Sequence, residues 1–209
     1  MFINESYIMT SGVILSRTLY GENTYYLTLF LKQYGLMNVT SIAHLYAGDK
    51  EPLTWAVFKL RKKTRSRNYY VEDTDIKEDM LNIRKSKGQI LTALSWCKLL
   101  IKYLDLLQPD DELLNNLFWS MKLLCDVSVP PEASNWRFLW RWLNLWGLAP
   151  DIDSFLMPKR FTRDEIMLLS FVADSNTKTV SEFFKIHSNI TGNFFRKAYD
   201  LSVKLLNEK

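Results

Sequence analysis

The residues best equipped for chemistry are cations. Lys59-Leu60-Arg61-Lys62-Lys63-Thr64-Arg65-Ser66-Arg67 holds six bases in nine residues and runs into Asn68-Tyr69-Tyr70. Ammonium and guanidinium groups neutralise phosphates, and aromatic rings stack on unpaired bases, so this pattern fits a strand-binding surface. It fits equally a solvated hairpin tip kept polar against edge aggregation. Glu72, Asp73 and Asp75 follow closely enough to neutralise part of the charge. A second set interleaves Tyr20, Tyr25, Tyr26, Phe30 and Tyr34 with Arg17 and Lys32. Such density suits a barrel core, yet adjacent strand residues face opposite sides, so Tyr25 and Tyr26 cannot both point inward. One of them is a candidate surface ring.

Bond-making chemistry is poorly served. His44 and His187 are the only imidazoles and fall in different predicted domains, which leaves no evident nucleophile and base pair. Ser95-Trp96-Cys97-Lys98 has a Ser-x-x-Lys spacing but lies in an apolar helical stretch without the companion motifs of acyl-transfer enzymes. No glycine-rich phosphate loop, dinucleotide fingerprint or metal-ligand spacing occurs, so neither a cofactor nor an enzyme activity is expected. Cys97 and Cys125 are the only cysteines, too few for a four-thiolate zinc site and set in apolar stretches, as in a reduced, cytosolic protein. The longest uncharged run, Gln33 to Gly48, is 16 residues and too polar to span a bilayer. Met1 to Ser6 lacks the order of a signal peptide, so a soluble intracellular protein is expected, with no membrane partner.

The elements that must position these groups change character partway along the chain. Four of seven glycines lie in the first 76 residues, between short runs rich in β-branched and aromatic residues. The expected strands are Tyr7 to Leu19, Tyr25 to Leu31, Leu36 to Leu45, Leu53 to Arg61 and Asn68 to Glu72, enough for a small barrel. In the fourth, Trp55 and Val57 face one way and Ala56, Phe58 and Leu60 the other; both faces are apolar, as in a barrel with something packed outside. Asp75-Ile76-Lys77-Glu78 has capping-box spacing and is expected to open the helical part. Apolar positions Leu91, Leu94, Cys97, Ile101 and Leu104 then mark one helix, and starts follow at Pro109-Asp110-Asp111-Glu112, Ser134, Thr162, Thr179 and Asn193. Six of seven tryptophans belong to this part, four of them between Trp136 and Trp146. The helix over Ser134 to Gly147 is apolar nearly all round, with Arg137, Arg141 and Asn144 as its polar stripe, and is expected to be central. The class is α+β: a β domain over 1–75 and a helical domain over 76–209.

Several motifs carry a resemblance. Ser11-Gly12-Val13-Ile14-Leu15, Tyr20-Gly21-Glu22-Asn23, Leu27-Thr28-Leu29-Phe30 and Tyr34-Gly35-Leu36, followed by Phe138-Leu139-Trp140-Arg141-Trp142-Leu143 and Trp146-Gly147-Leu148-Ala149-Pro150-Asp151-Ile152-Asp153, stand in the order found in the bacterial DNA repair family RecO. The chain resembles that family over residues 11 to 153. The resemblance implies an N-terminal OB-fold, a helical remainder and a non-enzymatic recombination mediator that binds single- and double-stranded DNA, promotes annealing and helps load recombinase onto strands covered by single-strand-binding protein. Its partners would be DNA, RecR and the acidic tail of single-strand-binding protein, in a nucleoid-associated, cytoplasmic setting. The candidate DNA contacts are Arg17, Lys32, Lys59, Arg61, Lys62, Lys63, Arg65, Arg67 and Tyr69; those for the tail are Arg137, Arg141 and Trp142.

The chain departs from the family's pattern in three ways. Ser41 to Leu53 holds one base, Lys50, where the family is rich in Arg and Lys; Phe155 replaces the first cysteine of a zinc site and no cysteine follows, so no metal is expected. Net charge is only +4, with 27 basic and 23 acidic residues. The competing expectation is a RecO-derived module that docks partner proteins with little DNA binding.

Overall fold

The computed structural model describes residues 7–42, 51–62, 68–190 and 192–207. Its five strands are β1 (Tyr7–Tyr20), β2 (Thr24–Leu31), β3 (Gly35–Ile42), β4 (Trp55–Lys62) and β5 (Tyr69–Glu78). They close into a barrel in the order β1-β2-β3-β5-β4, antiparallel except for the β3–β5 pair. This is an OB-fold. Helices α1 (Leu81–Arg84), α2 (Lys87–Tyr103), α3 (Asp111–Leu124), α4 (Pro131–Leu145), α5 (Ile152–Leu156), α6 (Arg163–Asp174), α7 (Thr177–Ile186) and α8 (Asn193–Asn207) follow, with a 3-10 turn over Met157–Lys159. Two compact units result: Met1–Leu81 with Ala93–Leu114, and Asn82–Thr92 with Asn115–Lys209.

Strand alternation divides the barrel as the sequence pattern requires. Ile14, Leu27, Leu29, Leu31, Met37, Val39, Ala56, Phe58, Leu60 and Val71 form the inner core. On the outside, Leu36, Phe30, Val13 and Trp55 are paired in succession across β3, β2, β1 and β4, and all four are buried. Burying such side chains is worth about 1.5–3 kcal/mol each, so this apolar outer row stabilises the unit alongside the inner core. Beside that row, the segment after α2 is clipped to the β2–β3 turn. Leu107 N–H donates to Leu36 O at 2.9 Å, and Gln33 N–H donates to the Asp111 carboxylate at 2.7 Å. Gly35, at φ +69°, lets the chains approach: a Cβ there would lie 1.9 Å from Gln108 O.

Two expectations are corrected. Asp75–Glu78 does not open a helix but continues β5, because Asp75 and Ile76 pair with Val57 and Ala56 of β4, and the ladder outweighs the local capping signal. In α2 the buried stripe is Ala93, Trp96, Cys97 and Leu100, whereas Leu91 and Ile101 are exposed. The helix carries apolar residues on more than one side, and burial of the large Trp96 ring sets its rotation.

Helix starts agree better where a local cap fixes them. Asp110 accepts from Leu113 N–H at the head of α3, and Thr162 and Glu165 form a reciprocal capping box at α6. α4 begins at Pro131 rather than Ser134, since proline suits the first helical turn, and α7 begins earlier than Thr179 because Asn176 caps it.

Gly35→Ala is expected to destabilise the protein by at least about 2 kcal/mol, because it adds a backbone clash to a positive φ. Gly21→Ala, at φ +63° with open space around it, is expected to cost only about 1 kcal/mol. Urea denaturation of both variants checks this order.

Candidate nucleic-acid interface

Register brings the barrel's polar groups into two further rows. One runs Arg17, Leu27, Val39, Tyr69 and Lys62 across β1, β2, β3, β5 and β4, on the side of the strands that faces the core. It gathers three residues singled out from the sequence. Arg17 lies over the Tyr25 ring at 4.8 Å and pairs with Glu51 at 2.7 Å, so its charge is already answered. Tyr25 and Tyr69 pack partly against the core, and Lys62 is exposed at the strand's end. Lys63, Arg65 and Arg67 lie outside the described residues, as does His44. Lys32 is exposed in the β2–β3 turn, five residues and so about 17 Å along the strand from this row, and does not join it.

The other row is on the outer face: Tyr26, Thr40, Tyr70, Arg61 and Tyr7 are partners in succession across β2, β3, β5, β4 and β1. Tyr26 is 46% exposed and meets Tyr20, 66% exposed, edge to face at 5.3 Å. Of the adjacent pair Tyr25 and Tyr26, the second is therefore the surface ring. The same alternation turns Tyr70 outward while Tyr69, the ring chosen from the sequence, packs inward. A cavity of about 280 Å³ opens beside Tyr70, lined by Thr24, Thr40, Ser41 and Ile42. The Ser41 hydroxyl is buried and has no hydrogen-bond partner. Mostly apolar walls and nearby rings suit a flat heteroaromatic group.

At the stem of the basic hairpin, Glu72 accepts from Lys59 Nζ and from Arg61 Nη2, each at 2.9 Å. The hydrogen bond from Lys59 holds the Glu72 carboxyl below its ordinary pKa, and the same bond raises that of the Lys59 ammonium. Lys59 also lies over the exposed Tyr7 ring at 5.5 Å. Sequence reasoning missed Tyr7 and the groove, and of the rings flanking the basic tract it chose Tyr69 rather than Tyr70. Adjacent Tyr69 and Tyr70 were the available signal, since only one can face a core.

The three helical candidates are placed differently. Trp142 is fully buried and Arg137 is 1% exposed. Arg137 donates to Ser175 O at 3.2 Å, and Arg141 donates to Ala173 O at 2.6 Å, Asp174 O at 3.1 Å and Ser175 O at 2.9 Å. Both guanidinium groups thus cap the C-terminal end of α6, where carbonyls lack helical partners and the helix dipole is negative. Burial pushes the pKa of Arg137 down to about 9, with help from neighbouring Arg141. Its Nε and Nη1 have no partner. A peptide tail cannot reach Arg137 or Trp142 without opening this packing, which corrects their assignment to a docking surface.

Other chemistry-bearing groups are likewise structural. His187 caps α7 through Phe183 O at 3.0 Å and stacks on the Phe183 ring, while burial pushes the Cys97 thiol up to about 12. Among the described residues no group of three His, Cys, Asp or Glu side chains is placed to hold a metal ion, and no helix is long and apolar enough to cross a membrane.

Arg141→Ala, which deletes bonds to three carbonyls, is expected to destabilise the fold by about 2–3 kcal/mol. Arg137→Met, which removes a buried charge and keeps its volume, is expected to be neutral or stabilising by about 1 kcal/mol. Denaturant unfolding of the whole chain separates the two roles, and equal losses would refute the distinction. In comparisons with known proteins, the chain matches no family model and no curated sequence.

Proposed function

We propose that this chain is a non-enzymatic nucleic-acid-binding protein that takes unpaired strand across the outer face of β2 and β3, and that it serves in DNA repair as a recombination mediator of the kind the RecO resemblance implies. The observation that carries the binding reading is the open outer row. The OB barrel leaves Tyr26 and Tyr20 exposed beside a groove, and the same row continues through Tyr70 into the stem of the basic hairpin. OB-folds bind oligonucleotides on this face, with bases on rings and phosphates on loop cations. Lys62, exposed at the end of β4, is the neighbour of Arg61 in that row, and Lys63, Arg65 and Arg67 follow it in the sequence. Loading of recombinase and docking of RecR or of a single-strand-binding-protein tail are further steps of the same proposal. The tail would need a surface other than Arg137 and Trp142.

The test is titration of a labelled single-stranded oligonucleotide at several salt concentrations. Four engaged cations give a slope of log affinity against log salt of roughly −3, at about −0.7 per contact. Tyr26→Ala is expected to weaken binding by about 1–3 kcal/mol, the worth of one stacked base, with little change in that slope. Absence of binding at low salt overturns the proposal and leaves partner-protein docking as the function to pursue.

A further inference from the structure

The hairpin stem carries an acid where a phosphate-binding surface has no use for one. β5 bulges opposite Lys59: Leu60 pairs with Val71 and Lys59 with Asp73, which leaves Glu72 as the extra residue. A regular ladder would set Glu72 directly opposite Lys59. The bulge moves it toward Arg61, so that one carboxylate serves both cations, Oε2 accepting from Lys59 and Oε1 from Arg61. The exposed Tyr7 ring flanks Lys59 on the β1 side, and Tyr70 is Arg61's cross-strand partner. The cluster therefore lies within the outer row that leads to the groove.

We propose that Glu72 is an internal phosphate mimic, a built-in competitor that holds Lys59 and Arg61 away from strand phosphates. This inference rests on the nucleic-acid reading and specifies how that site is regulated. A forked carboxylate presents two oxygens to two donors, as a phosphate does, so it fills the positions a strand phosphate would take. While Glu72 stays in place, the two stem cations neutralise no phosphate and release no counterions from the strand. The electrostatic grip then falls to Lys62 and the bases that follow it.

The experiment compares wild type with Glu72→Gln and Asp73→Asn, using labelled oligothymidine over about 50 to 300 mM salt, with thermal unfolding as the check on folding. Glu72→Gln is expected to tighten binding about tenfold at low salt, the size of one charge-assisted hydrogen bond. It should also steepen the salt slope by about −1.4, two further phosphate contacts at about −0.7 each. Asp73→Asn removes the same charge next door, without the fork, and is expected to change the slope by less than half as much. Glu72→Thr, a good strand former, repeats the result without the amide. Binding by wild type with an unchanged or shallower slope in both Glu72 variants overturns the competitor and leaves the nucleic-acid reading standing. Absence of binding by wild type and variants alike overturns that reading, and the competitor with it.

Discussion

A parallel pairing of two residues, Val39 with Tyr69 and Thr40 with Tyr70, closes the sheet, and the arrangement of the barrel depends on it. Closure leaves no open sheet edge and gives every strand one inner and one outer side. It also carries two cross-strand rows from β2 to β4 by way of β3 and β5. Without it, Tyr26 and Arg61 would be joined only through β1, where their partners Thr18 and Tyr7 lie eleven residues apart. With it they share an outer row, and the groove beside Tyr70 lies between them.

The outer surface is consequently divided by chemistry. One row, Leu36, Phe30, Val13 and Trp55, is apolar and buried, while the other presents rings and hydroxyls. The cations around the open row are restrained by the chain's own acids. Glu51 answers Arg17, and Glu72 answers Lys59 and Arg61 together. A net charge of +4 therefore understates local basicity at the hairpin, yet the count of six bases in the tract overstates what is ready for phosphate. Affinity in such a surface rests on which cations the chain's own acids hold as much as on how many there are.

In the helical unit, α4 holds the tryptophan cluster. Trp136 bonds Leu169 O at 3.0 Å and stacks on Trp140 with centroids 4.7 Å apart, and the helix packs against α6 and α8. Its two arginines complete the packing, because the carbonyls that end α6 need donors and these are the ones within reach. A helix can be buried to this degree only if its polar residues find such partners.

The features legible in the amino-acid order alone are those that short-range physics decides. Five strands were legible from alternation, the central position of α4 from its near-continuous apolar surface, and the heads of α3 and α6 from Asp110 and from Thr162 with Glu165. The cap, the pleat and the helical repeat each act within a few residues. Which of Tyr25 and Tyr26, and which of Tyr69 and Tyr70, faces outward is set by barrel closure and register. Likewise, Arg137 and Arg141 read as a polar stripe, but the end of α6, some thirty residues on, takes them inside. Asp75–Glu78 read as a helix cap until pairing with β4 kept it in the sheet. In each case the deciding partner is distant in the chain, and its distance and register exist only after folding has brought the two together.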